Sequence, residues 1–331
     1  MEKMAKIMVV GSGVVGQATG KGLIEKGHDV TFVDTNVEIV ERLEQEGFEA
    51  RLPSELNDVC ADISMFCVST PSREDGSVNL DYIIAAIANH GKWLKYQGDW
   101  HLVVVRSTVP PGTTRGVLLP LLEKISDMVA GRDFGLCMQP EFLRAKSSVE
   151  DFLHPWATVI GELDSWSGDV LAEIYADFGS EIYRVDLETA EFVKYIHNCF
   201  NAAKISFSNE LWLLGRGLGI DANTALSIVT RTAEGFWNPS YGTVGGQPWG
   251  GTCLPKDTKG LITFAQGIGI CMPLLQAVVS VNSHMGELAK QGVVPPATTV
   301  GHKWQPSPRL ATLEERSFLE SQVCELLSGP R

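Results

Sequence analysis

Five short clusters hold the residues whose types and spacing could do chemistry. In Gly250-Gly-Thr-Cys253-Leu-Pro-Lys256-Asp257, Pro255 suits the first turn of a helix that runs on through Leu261 and Phe264. Cys253 then stands at a helix N-terminus, where the partial positive charge favours a thiolate, and Lys256 adds to that field. Asp257 follows one helical turn later on the same face, within reach as a base or orienting group. A buried structural cysteine behind a glycine turn is the plainer reading of the same residues.

Lys194 and Asn198 have the same i, i+4 spacing, which points an ammonium and an amide at one place. Their neighbours Val193, Tyr195 and Ile196 would keep the ammonium partly dry, as an oxyanion clamp requires. A solvated lysine beside a surface asparagine is the alternative. Arg106-Ser-Thr108-Val-Pro-Pro-Gly112 and Gln139-Pro-Glu141-Phe-Leu-Arg144 each follow a strand-like run, where α/β sheets hold their ligands. Either could be an ordinary loop if taken singly.

The fifth cluster, Gly11-Ser-Gly13-Val14-Val15-Gly16, lies between a strand-like and a helix-like run. Its glycines suit a tight turn, a close pyrophosphate and close helix packing, in that order. Asp34 comes 18 residues after Gly16 and can accept both ribose hydroxyls. It would repel a 2′-phosphate, and no Arg follows it directly, so the cofactor expected is NAD and not NADP.

The elements that must position these clusters change character along the chain. Strand-like runs at Lys6–Val10, Asp29–Asp34, Ile63–Ser69, Leu102–Ser107, Gly135–Met138, Thr158–Gly161 and Ile182–Val185 alternate with helix-like runs at Val14–Lys26, Leu80–Asn89 and Ser165–Phe178. That alternation predicts an α/β, Rossmann-like, doubly wound and mostly parallel sheet. After Asp186 the period becomes helical: Phe192, Ile196, Phe200, Ala203 and Phe207 predict one long helix over Glu188–Gly215. The expected organisation is an NAD-binding domain over 1–186, an all-helical domain over 187–292 and a short tail over 293–331 with an amphipathic piece at Leu310–Leu327.

Composition excludes several classes. Of 331 residues, 44% are hydrophobic and 20% charged, too apolar for a disordered chain. Net charge is −13, with no basic stripe for DNA or RNA. The seven cysteines include no C-x-x-C pair and the seven histidines no H-x-x-x-H, which argues for free thiols in a reducing cytoplasm and no metal site. Residues 260–286 carry no Asp, Glu, Lys or Arg, but Gln266, Pro273, Gln276 and Asn282 interrupt them. They read as two buried helices around Pro273 instead of a membrane span.

Together and in this order the clusters resemble the UDP-glucose/GDP-mannose dehydrogenase family, from Ile7 to about Glu287. GGTCLPKD is the most specific element, followed by PEFLR with VEDFLHP (149–155), RSTVPPGTT and VSTP (68–71). The resemblance implies NAD-dependent oxidation of a nucleotide sugar, most often UDP-glucose, at its C6 alcohol to the carboxylate. It makes Cys253 the nucleophile that captures the aldehyde as a thiohemiacetal, and the second hydride transfer leaves a thioester. Asp257, Glu141 and Thr108 would orient the hydrolytic water, and Lys194 and Asn198 would hold the oxyanion. It places Gly11, Gly13, Val14, Val15, Gly16, Asp34, Thr70, Pro71 and Thr108 at the cofactor. Glu141, Phe142, Leu143, Lys194, Asn198, Arg231, Gly250 and Lys256 go to the substrate. It also implies a homodimer through the helical domain, with Phe207 and Trp212 as candidate contacts or, alternatively, core residues.

Two departures stand out. A glutamate usual four residues after the Glu141 position is Ala145 here, followed by Lys146. The family's third domain, which grips the nucleotide, would have to begin where this chain has 39 residues left (331 − 292). Two other readings follow from that: the same four-electron oxidation of a different alcohol, and an NAD-binding, partner-dependent or inactive homologue.

Overall fold

The computed structural model describes residues 4–243 and 245–292. The 293–331 tail, with its expected amphipathic piece, lies outside the described residues. The first part alternates strands β1 (Lys6–Val10), β2 (Asp29–Val33), β3 (Glu49–Arg51), β4 (Ile63–Phe66), β5 (His101–Val105), β6 (Phe134–Met138), β7 (Ala157–Glu162) and β8 (Glu181–Asp186) with helices α1 (Val14–Glu25), α2 (Val37–Gln45), α3 (Asp81–Leu94), α4 (Leu119–Ser126), α5 (Ser148–Leu153) and α6 (Ser165–Ile174). Then come α7 (Leu187–Leu218), α8 (Ala222–Thr232), α9 (Glu234–Trp237), α10 (Cys253–Gly267) and α11 (Pro273–Lys290).

The eight strands form one sheet in the order β3-β2-β1-β4-β5-β6-β7-β8. Every pairing is parallel except β6–β7, which is antiparallel and joins only Cys137 to Glu162 and Met138 to Gly161. The order 3-2-1-4-5-6 is that of a doubly wound dinucleotide-binding sheet, with the switch point between β1 and β4. Because side chains alternate along a strand, β5 feeds two cores. Val103 and Val105 join Phe66, Ile83, Ile87 and Leu121 on one face. Leu102 and Val104 join Phe32, Leu23, Phe152 and Tyr175 on the other. On that second face α1 lies close because it is rich in glycine. A Cβ at Gly20 would stand 2.2 Å from the Phe32 ring, and one at Gly22 the same distance from the Phe152 ring.

All seven expected strands form, though Ile63–Ser69 is shorter than expected and stops at Phe66. The three-residue β3 and helices α2, α4 and α5 were not foreseen. In α2, Asn36 caps the first turn by accepting the Glu38 N–H at 2.9 Å. Only Val40 and Leu43 are buried there, too few to show a period against its charged residues.

By compactness the chain divides inside α7, into a sheet unit up to His197 and a helical unit from Asn198. The described residues after Asp186 contain no strand. Among the described residues the helical unit's core is small: Leu214, Ala265, Met272 and Leu275. The break at Pro273 occurs as expected, since α11 starts there. The expected burial of the flanking helices does not: Phe264 is 51% and Val281 64% exposed. Among the described residues, so small a core cannot receive both faces of α10 and α11. Among the described residues, no helix is long and apolar enough to cross a membrane.

Candidate active site

The glycine loop takes the form that its spacing requires. Gly11 has φ +90°, and a Cβ there would come within 2.9 Å of the Cys67 backbone. A Cβ at Gly16 would overlap the Gly11 carbonyl oxygen at 1.8 Å, so the first turn of α1 can close on the loop only with glycine here. At Gly13 a Cβ would meet nothing within 4 Å, which leaves the start of α1 open to a ligand. Asp34 lies one residue past β2. Its Oδ2 accepts the Ser12 N–H at 2.7 Å and its Oδ1 the Asn36 N–H at 2.9 Å. Each oxygen keeps acceptor capacity for a ribose hydroxyl. Thr70 donates to the Thr108 carbonyl at 2.7 Å and joins the loops after β4 and β5. Val14 and Pro71 are exposed beside this edge, and Val15 is half-buried. An open helix N-terminus, a glycine-only approach and a fixed carboxylate suit a dinucleotide.

Glu141 and Lys194 meet directly. Lys194 Nζ donates to Glu141 Oε1 at 2.8 Å and to the Glu141 carbonyl at 2.6 Å. Glu141 Oε2 accepts the Leu143 N–H at 2.7 Å, which curls the loop after β6 around the carboxylate. The two side chains are 7% and 13% exposed, so a well-ordered, mostly dry ion pair lies at the sheet's carboxyl edge. The Phe142 ring centroid is 5.7 Å from Lys194 Nζ and 4.8 Å from the His197 ring centroid. Lys194 therefore points at Glu141, while Asn198, one turn on, is exposed. Arg144 in the same loop pairs with Asp151 at 2.6 Å, which links PEFLR to VEDFLHP. That guanidinium holds the Asp151 carboxyl well below the usual range. Ala145 and Lys146 are exposed.

Three further groups hold this edge: two carboxylates of α7 that were not foreseen, and Arg106, which heads its sequence cluster. Glu191, fully buried, accepts the Gly112 N–H at 2.5 Å and the Thr114 N–H at 2.7 Å. Burial pushes its carboxyl up to about 7, against the pull of those donors. With Glu188 bonded to Arg115 at 2.6 Å, α7 thus makes a contact every third residue, at 188, 191 and 194. Those contacts fix the segment that follows Thr108 and the Glu141 loop against one helix. Arg106, the third group, is buried with its Nη1 bonded to Gln139 and, at 3.3 Å, to Tyr175. The adjoining cavity of about 40 Å³ has room for a water or two and is too small for a sugar. The i, i+3 series from Glu188 to Lys194 was visible in the sequence, but a buried glutamate on backbone donors leaves no composition signal.

In the helical unit Cys253 is the first residue of α10 and is exposed. Its Sγ is 3.8 Å from the Thr252 hydroxyl. Lys256 pairs with Asp257, so both charges of the motif are engaged with each other at the surface. Gly251 has φ +81° immediately before the helix, and Gly250 is exposed. Arg231 is exposed in the last turn of α8. Glu210 accepts the Leu274 and Leu275 N–H groups at 2.7 and 3.0 Å and so caps α11. Among the described residues no group of three or more His, Cys, Asp or Glu could hold a metal.

A doubly wound sheet with this loop, this acid and this edge defines an NAD-binding α/β domain. The chain belongs to the UDP-glucose/GDP-mannose dehydrogenase family: residues 5–179 match its NAD binding domain and residues 188–284 its central domain. The GDP-mannose 6-dehydrogenase of Pseudomonas putida is 35% identical over 302 residues, 84% of this chain and 68% of that protein. A UDP-glucose 6-dehydrogenase of Haloferax volcanii is 32% identical over 308 residues, 85% and 70% of the two chains. The crystal structure of a GDP-mannose dehydrogenase from Pseudomonas aeruginosa superposes with a TM-score of 0.80 at 31% identity, over 87% of this chain and 70% of that one.

Proposed function

We infer that this protein is an NAD-dependent nucleotide-sugar 6-dehydrogenase that oxidises a primary alcohol to the carboxylate, with GDP-mannose as its substrate. The observation that carries the reaction is the dry Lys194–Glu141 pair at the cofactor edge, in a chain that also starts a helix with Cys253. The choice of sugar rests on the 35% identity to a GDP-mannose enzyme, against the earlier expectation of UDP-glucose. UDP-glucose is the second reading, favoured by the Haloferax relative at 32%.

When bound, NAD would accept a hydride in each of the two oxidations. Gly11, Gly13, Gly16 and Asp34 would hold it, with Thr70, Pro71 and Thr108 along its path. Cys253 Sγ would add to the aldehyde carbon, giving a thiohemiacetal and then a thioester. Lys194 Nζ and Asn198 would stabilise the oxyanion. Glu141, Asp257 and Thr108 would orient the water that breaks the C–S bond and returns the thiol. Phe142, Leu143, Arg231, Gly250 and Lys256 are assigned to the substrate.

The exposed apolar residues of the helical unit, Phe200, Ile205, Leu213 and Ile228 among them, support a homodimer through that unit. Phe207 is half-buried and Trp212 is 41% exposed, so neither is a full core residue of a single chain. Sedimentation should give twice the 36.0 kDa chain mass. A monomer at micromolar concentration would contradict the dimer.

Absorbance of NADH with GDP-mannose, UDP-glucose and UDP-N-acetyl sugars offered separately tests the reaction. Two NADH per GDP-mannose are expected. A yield only with UDP-glucose moves the assignment to that sugar, and no yield with any of them removes the nucleotide-sugar reading.

A further inference from the structure

The stretch between Trp249 and Cys253 is built on two glycines. A Cβ at Gly250 would meet nothing within 4 Å, and Gly251 sits at φ +81°, so two glycines separate Trp249 from Thr252. Upstream, the hydrogen bonds of Ser240, Tyr241 and Thr243 stay within residues 238–243, and Asn238 bonds back to Glu234 of α9 with its N–H and its Nδ2, each at 2.9 Å. A nucleophile carried on such a segment is positioned only as well as the ends of the segment are held. One end is α10. At the other, Asn282 of α11 accepts the Trp249 N–H with Oδ1 at 2.7 Å and donates from Nδ2 to the Trp249 carbonyl at 3.0 Å. The side-chain amide matches the N–H and the carbonyl of one residue, 33 residues away in sequence, and so ties the peptide units on both sides of its Cα. Both residues are half-buried, which limits competition from water.

We propose that Asn282 is a positioning residue for the reaction: its amide fixes the Trp249 backbone and, through it, the approach of Cys253 to α10. The inference rests on the reading of Cys253 as nucleophile, yet the hold on the thiol can be measured without turnover. An ionised carboxylate at 282 has nearly the same shape and still accepts the Trp249 N–H. Facing the Trp249 carbonyl, however, it turns the second hydrogen bond into a repulsion. The freed segment would fray the first turn of α10, which carries Cys253 at its head.

The test alkylates the full chain with iodoacetamide and follows each cysteine by peptide mass spectrometry. In Asn282→Asp, Cys253 is expected to react about tenfold more slowly, while Cys199, exposed on α7, keeps its rate. With nucleotide sugar and NAD, kcat should fall about tenfold and KM for the sugar should stay within about twofold. Asn282→Gln, which keeps a donor and an acceptor, should recover part of both losses. Unchanged Cys253 reactivity and kcat in a folded Asn282→Asp would overturn the proposal. In the unsubstituted protein, the Trp249 amide should exchange about tenfold more slowly than that of Gly250. Equal exchange rates would overturn the proposal even if the variant failed to fold. Slower Cys253 alkylation in an enzyme that turns over no nucleotide sugar would uphold the positioning role and remove the nucleotide-sugar reading.

Discussion

The two units use the same device with different support. In each, α7 offers a carboxylate to backbone N–H groups: Glu191 to Gly112 and Thr114 in the sheet unit, Glu210 to Leu274 and Leu275 in the helical unit. Around Glu191 the sheet packs a core on either face. Around Glu210 the core, among the described residues, is four buried side chains. The geometry of the sheet unit is over-determined by packing, so a lost polar contact costs stability before it costs shape. The helical unit, which carries Cys253, depends on individual polar contacts for its shape.

Core substitutions are the strongest way to break that contrast. Phe152→Ala, at a ring 3% exposed against α1, should cost about 4 kcal/mol in a denaturant melt. Phe264→Ala, at a ring 51% exposed, should cost less than about 1 kcal/mol in the monomer. Equal losses would mean that the helical unit is packed as firmly as the sheet. Glu191→Ala comes next, at about 3 kcal/mol, because it strands two donors in a dry site. Glu210→Ala should cost about 2 kcal/mol, and a larger loss there than at Glu191 would reverse the comparison.

A smaller effect of opposite sign is expected at His90. Both of its ring nitrogens are buried with no hydrogen-bond partner among the described residues, between Phe66 and Trp93. His90→Phe keeps the ring and removes the stranded atoms, so it should stabilise by about 1 kcal/mol. A lower melting temperature would show that the nitrogens are satisfied.

The pH dependence sets these groups against one another. Burial holds His90 well below 6.5 and His101 down at about 4, so their contribution is complete above pH 6.5 and is lost as pH falls toward 4. Glu191 is raised from 4.5 to about 7, so its contribution is complete below pH 4.5 and is lost as pH rises to 7. Two histidines outweigh one glutamate between pH 4.5 and 6.5, so stability should rise over that range and dip slightly from 6.5 to 7. In Glu191→Gln the dip should vanish in urea titrations across these pH values. Its persistence would assign it to another group.

The sheet was legible because buried parallel strands are continuous apolar runs such as Leu102–Val105, and because the glycine loop has a fixed place between strand and helix. β3 was not, since three residues carry no period. Lys194 and Glu141 were legible one at a time, through spacing and position at strand ends. Their pairing was not, because it joins the loop after β6 to a helix 53 residues away. Asn282 first stood out as a polar interruption in an uncharged run. Its partner, the backbone N–H and carbonyl of one residue, has no sequence signature. The exposure of α10 and α11 was missed because an apolar run reads as buried whether the chain's own core or a second surface covers it.

The central claim is that Cys253 becomes covalently bonded to the substrate during oxidation. Acid-quenched turnover with GDP-mannose and NAD, followed by peptide mass spectrometry, tests it most directly. The Cys253 peptide should carry the acyl sugar nucleotide, and should carry more of it when Asp257→Asn slows hydrolysis. Full turnover with an unmodified Cys253, or undiminished activity in Cys253→Ala, would contradict the account.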